Sequence, residues 1–379
     1  MLASLFTDQK LEYVQHSFSD VVQKAEILNI GKAPASSKGY LRLHANENPF
    51  PLPRRVREKV YEAFEDLFHY PEDDSASLRE VAANVYGVKK EQVIAANGSS
   101  EILSLIYRTF LSPGDVMGML TPGFGYNEKL AISQGATLHR FELNEDFSFP
   151  IEELTSEYAN SMKFIVIANP NNPTGTFVPT STIEDVLNKV NCLVVVDEAY
   201  IDFASDSSLR LVDQYPNLLV LRSFSKSYAV AGARIGLGFG HPNVIENIMK
   251  FMSMFNLNIV GQTVGVSILE NLQSFEPLHE IICQQRGRVS RELEILNFNI
   301  IPSYANFILA RVPENSTAAE WSRLLRKRKI LVGTFTEERL KEYIRITITT
   351  ERQMDIFIDA VKSIDVANSK KPPFQGDEN

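Results

Sequence analysis

The chain has 379 residues, 44% hydrophobic and 22% charged, an ordinary globular composition that excludes general disorder and is long enough for one large core or two domains. A formal net charge of -9 and a pI near 5.4 exclude a protein whose main work is gripping a phosphate backbone, and the densest basic cluster, Arg323 to Lys329, reads as a solvated helix face. The N-terminus lacks the pattern of a secretory signal, and no apolar run approaches the ~20 residues that span a bilayer, so a soluble cytoplasmic protein without membrane partners is expected.

In chain order, residues 1–45 read as an N-terminal arm and linker, with "GKAPASSKG" (31–39) as the linker itself. A helix is expected from "SASLREVAANVYG", capped by Ser75 and stopped at Gly87. Seven short apolar runs then alternate with helical patterns, at 92–96, 115–120, 137–143, 163–168, 192–196, 218–222 and 234–239. They predict an α/β fold in which a mostly parallel seven-stranded sheet is flanked by helices on both faces, a large domain spanning 46–255. Long helical stretches, followed by strands in "ANFILARV" and "EYIRITI", predict a smaller α+β domain over 256–366 to which the N-terminal arm contributes. The tail 367–379 reads as disordered.

In a parallel α/β sheet, ligands gather beyond the carboxyl ends of the strands. Four strand ends here deliver polar groups: Asn97, Gly98, Ser99 and Ser100; then Asn172 within "NPNNPTG" (169–175); then Asp197, Glu198 and Tyr200; then Ser223, Ser225 and Lys226. "GSSEILSLIYRTF" opens a helix directly after a strand, and the free N–H groups of its first turn make it a candidate anion cradle. The glycines of "AGARIGLGFG" do not open a helix in the G-x-G-x-x-G spacing, which disfavours a dinucleotide site. Cys192 and Cys283 read as free thiols, and the six histidines never take metal-ligand spacing, so no metal is expected.

"NPNNPTG", "DEAY" and "SFSKSYAVAGARIG" resemble the signature segments of fold-type I, pyridoxal-phosphate-dependent aminotransferases of classes I and II. "LHANENP", "HYPEDD" and "YIRITI" are similar to the histidinol-phosphate aminotransferase branch, and the similarity runs from about residue 41 to residue 360. The resemblance implies that Lys226 binds the cofactor aldehyde and shuttles the proton at the substrate Cα. It implies further that Asp197 sits against the pyridine nitrogen and that Tyr200 and Asn172 bond the phenolic oxygen. Ser99, Ser100, Ser223, Ser225 and Arg234 would hold the cofactor phosphate, with Phe124 stacked on the ring. Tyr70 would reach the cofactor phosphate or substrate of a neighbouring subunit, which implies a homodimer. Arg345 would clamp the substrate's anionic group, a carboxylate or a phosphate.

One position departs from the branch. A second arginine that helps hold the substrate phosphate usually follows the strand corresponding to "KILV", and Gly333 stands there instead. A missing charge-assisted contact costs about 1.5–3 kcal/mol. Either Arg339, Lys341 or another cation replaces it, or the substrate is a different amino acid. The same scaffold also carries lyases of the threonine-phosphate decarboxylase type, and a non-catalytic ligand-binding module is the reading from another class.

Overall fold

The computed structural model describes residue 14, residues 17–24 and residues 38–369. Most of the expected linker and the part of the expected tail beyond residue 369 lie outside them. The large sheet contains β2 (Val93–Asn97), β3 (Val116–Thr121), β4 (Thr137–Glu142), β5 (Phe164–Ala168), β6 (Leu193–Asp197), β7 (Leu218–Ser223) and β8 (Ile235–Gly240). Their order is β2-β8-β7-β6-β5-β3-β4. Only β8 runs against its neighbours, β2 and β7; the remaining pairs are parallel.

Burial on both faces explains the continuous apolar runs. Along β6, Val194 and Val196 enter one core with Ile183 and Val186 of helix Thr180–Lys189. Leu193 and Val195 enter another with Ile102 and Ile106 of helix Ser99–Phe110. β8 is thin on that second face. A Cβ added at Gly236 would lie 2.3 Å from the Ser99 nitrogen, at Gly238 2.8 Å from Ile94 Cγ2, and at Gly240 2.9 Å from Leu219 Cδ1.

The small sheet is ordered β1-β11-β12-β10-β9, from β1 (Leu41–Leu43), β9 (Asn299–Ile301), β10 (Phe307–Arg311), β11 (Ile330–Thr334) and β12 (Tyr343–Thr347). The arm therefore contributes a strand, with Leu41 to Leu43 parallel to Ile330 to Val332. The change of core comes later than residue 255: Val264, Ile268 and Leu269 of helix Ile259–Leu269 belong with Leu78 and Ala82 of the first core. Ile282, Val289 and Leu293 of helix Glu276–Ile295 belong with Phe307 and Trp321 around the small sheet.

The expected helix over 75–87 spans Ala76–Tyr86 and stops at Gly87 with φ +70°, but Ser75 does not cap it. Ser75 sits at φ +53° with its hydroxyl buried, and Glu72 takes over the role, accepting from the Ser77 nitrogen at 2.7 Å and the Ser77 hydroxyl at 2.6 Å.

Beneath the ends of β6 and β7, Arg222 reaches Glu198 at 3.3 Å and Asp202 at 3.2 Å and lies 5.5 Å from the centre of the Tyr86 ring. Glu198 also accepts from the Ser207 hydroxyl and the Ser208 nitrogen, each at 2.6 Å. Removing one member of such a pair leaves an uncompensated buried charge. Arg222→Met is expected to destabilise the protein by about 3–5 kcal/mol, read as a lower urea midpoint at unchanged slope.

Candidate functional site

Polar side chains at the carboxyl ends of β5, β6 and β7 meet the N-terminus of helix Ser99–Phe110 and the loop after β1. Ser223 ends β7 and its hydroxyl accepts from the Ser225 nitrogen at 3.3 Å, closing a one-turn helix, Phe224–Ser227, that carries Lys226. Arg234, held at φ +56°, donates from Nη1 to Ser225 Oγ and from Nη2 to Ser100 Oγ, both at 3.1 Å. A Cβ at Gly98 would meet Arg234 Nη2 at 2.5 Å, so only glycine lets the guanidinium lie across the helix start. Two serine hydroxyls, a fixed guanidinium and first-turn N–H groups converge there, with Ser99 half-buried at the first helical position. Such a set suits a compact dianion.

Lys226 is half-buried, and its Nζ donates to the Ala45 carbonyl at 2.9 Å. Burial, followed by the charge of Arg345, lowers it to about 8, while Glu47 opposes the shift. Near neutral pH a useful fraction of this amine is therefore unprotonated, as a nucleophile or a proton carrier requires. Asp197 ends β6 and accepts from the Ala199 nitrogen at 3.1 Å, and burial raises its carboxyl to about 6. The Tyr200 hydroxyl, buried, accepts from Asn46 Nδ2 at 3.0 Å, and its ring stands edge-on to Phe307.

Arg345 projects from β12 into the same space, donating from Nη1 to Asn172 Oδ1 at 2.6 Å and from Nη2 to the His44 carbonyl at 2.8 Å. Its Nε is buried and has no partner. Phe124 lies in the loop after β3, 37% exposed, its ring centre 5.9 Å from that of Tyr126. Tyr70 stands apart, 80% exposed and stacked on Phe255 at 4.6 Å.

Arg339 and Lys341 are engaged elsewhere. Arg339 donates to the Leu143 and Asn144 carbonyls over the Phe147 ring, and Lys341 pairs with Glu338 on the surface. The loop after β1 supplies the residues that strand-end reasoning passes over. Asn46 holds Tyr200, Ala45 receives Lys226, and Asn48 donates to the Ser227 carbonyl at 3.2 Å. Their signal is the polar run "HANEN", but a three-residue strand ahead of it has too little periodicity to mark its end.

The profile of the family "Aminotransferase class I and II" matches residues 38–361. The chain is 47% identical to histidinol-phosphate aminotransferase 3 of Mesorhizobium japonicum, over 97% of this chain and 100% of that one. It is 48% identical to the histidinol-phosphate aminotransferase of Sinorhizobium fredii, over 96% and 99%. The fold is similar to that of the crystal structure of histidinol-phosphate aminotransferase from Sinorhizobium meliloti in complex with pyridoxal-5'-phosphate. There the TM-score is 0.85 at 21% identity, covering 93% of this chain and 98% of that one.

The raised Asp197 sets a stability signature. Its folded value, about 6, exceeds the ordinary 3.8, so the ionised carboxylate costs stability, which is full below pH ~4 and declines as pH rises through about 6. Asp197→Asn in the unliganded protein is expected to gain about 3 kcal/mol at pH ~7 and almost nothing at pH ~4. Urea unfolding at the two pH values checks the sign.

Proposed function

The chain belongs to the class I and II aminotransferases, which work with pyridoxal 5'-phosphate, and on that premise we propose that it moves an amino group between L-histidinol phosphate and the 2-oxoglutarate/glutamate pair. The near-full-length similarity to two relatives of that name carries the choice of substrate. The residues fit the cofactor: Gly98 and Gly236 keep the cradle clear of side chains, Arg234 spans Ser100 and Ser225, and the half-buried Lys226 and the buried Asp197 lie beside it.

Bound there, pyridoxal phosphate supplies an aldehyde and an electron-accepting ring. Ser99, Ser100, Ser223, Ser225 and Arg234 would hold its phosphate, Lys226 would hold its aldehyde end until the substrate amine replaces it, and Phe124 would line the ring. Asp197 would hold the ring nitrogen, where a cation beside it would offset the penalty that burial imposes on the carboxylate. Tyr200 and Asn172 would hold the phenolic oxygen. Once the substrate amine has taken its place at the aldehyde, the freed Lys226 amine would accept the proton from the substrate Cα and hand it on. Arg345 grips the substrate's anion, the phosphate of histidinol phosphate or a carboxylate of glutamate, with Asn172 orienting the guanidinium.

A homodimer belongs to this reading, with Tyr70 crossing into the neighbouring subunit's site. Tyr61, Phe64, Leu67, Phe68 and Met254, each more than half exposed, support it as an uncovered apolar surface around Tyr70. Among the described residues no helix is long and apolar enough to cross a membrane, and the free Cys192 and Cys283 support a cytoplasmic location.

The test is spectral and kinetic. Histidinol phosphate is expected to bleach the visible band of the bound cofactor and 2-oxoglutarate to restore it, while Lys226→Ala lowers kcat by about 10²–10⁴-fold or more. A band unchanged by histidinol phosphate but bleached by another amino acid overturns the substrate.

A further inference from the structure

We propose that Arg42 supplies the second cation at the substrate's anionic end, taking the role that Gly333 cannot fill; this rests on the substrate reading above. Strand register places it. Gly333 pairs with Arg345 across β11 and β12, and Arg42 pairs with Leu331 across β1 and β11. Cross-strand partners share a face, as do residues two apart, so Arg42, Leu331, Gly333 and Arg345 all lie on one face of the small sheet. That face is the one from which Arg345 meets Asn172.

Gly333 lies against the Arg345 stem: a Cβ at 333 would be 3.3 Å from Arg345 Cβ and 3.6 Å from its Nε. Glycine brings no charge of its own, so a second cation on this face comes from the next strand. Two strand spacings and one two-residue step put the Arg42 and Arg345 backbones roughly 12 Å apart, a gap that an anion held between two guanidinium groups spans.

Two further observations place Arg42 at the site. Its Nη2 pairs with Glu47 Oε1 at 2.6 Å, and the Glu47 charge acts on Lys226. His44, whose Nδ1 is buried without a partner, has its protonated form disfavoured by burial first and then by both Arg42 and Arg345. The Arg42 side chain is 43% exposed, and its planar guanidinium fork matches the geometry of a phosphate.

The experiment compares histidinol phosphate with histidinol, the same amine without its phosphate, and adds inorganic phosphate as a competitive inhibitor. R42Q is expected to lower kcat/KM for histidinol phosphate by about 10–100-fold, chiefly through KM, with a much smaller fall for histidinol. The inhibition constant of inorganic phosphate rises by a comparable factor. R42K recovers part of the loss, because an ammonium restores charge without the fork, and it serves as the test variant if R42Q does not fold. Equal falls for the two amines, or no fall, overturn the proposal. If the unaltered enzyme ignores histidinol phosphate, the substrate reading fails on its own; Arg42 is then judged by phosphate inhibition of whichever amine is used, where an unchanged constant overturns it.

Discussion

The guanidinium of Arg222, wedged between the carboxylates of Glu198 and Asp202, fixes the edge on which the site is built. Its strand neighbour Ser223 and Glu198's neighbour Asp197 necessarily face the opposite side of the sheet. The pair thus locks β6 against β7 from below, and the Glu198 nitrogen extends the ladder by donating to the Leu221 carbonyl at 2.9 Å. Asp197, Ser223 and the one-turn helix carrying Lys226 are thereby held at fixed separations, and their own polar atoms make only local contacts, Ser223 with the Ser225 nitrogen and Asp197 with the Ala199 nitrogen. The charges that stabilise the edge sit on one face, and those offered to a ligand sit on the other.

On this other face, cations outnumber anions among the charges acting on the Lys226 amine. Arg345 and Arg234 both disfavour a charged Lys226, and burial does so more strongly, while Glu47 pulls the other way. Glu47 is shared with Arg42, so the anion that moderates the lysine also tethers a guanidinium from the small sheet. The Lys226 charge and the guanidinium of the small sheet are therefore coupled electrostatically through the loop after β1. Arg345 crosses the same gap from the other side, touching Asn172 of the large sheet and the His44 carbonyl.

Much of this architecture is legible in the sequence, because strands buried on both faces read as uninterrupted apolar runs, and the polar residues just past those runs converge on one edge. Asp197, Ser223 and Lys226 can be placed in that way. The less legible parts depend on contacts distant in sequence. Asn46 reaches Tyr200 across 154 positions, and β1 is three residues long, too short for a period to declare itself. Ser75 looks like a helix cap by residue type, yet its left-handed backbone and the competing carboxylate of Glu72 assign the role elsewhere. Helix Ile259–Leu269 is apolar nearly all round, so its pattern does not say which of two cores receives it.

The glycines of β8 have a consequence for how the site can change. At 236, 238 and 240 they present bare backbone to the elements packed on that face, and at 236 the contact is with main-chain atoms that cannot swing away. The gap between this strand and the Ser99 end of the helix is thus a mechanical stop, set by the absence of carbon rather than by any attraction. Whatever residues vary elsewhere around the site, the gap at the start of this helix keeps one width. Selection for a new substrate can rework the loop after β1 and the small sheet while the anchoring half of the pocket stays the same size.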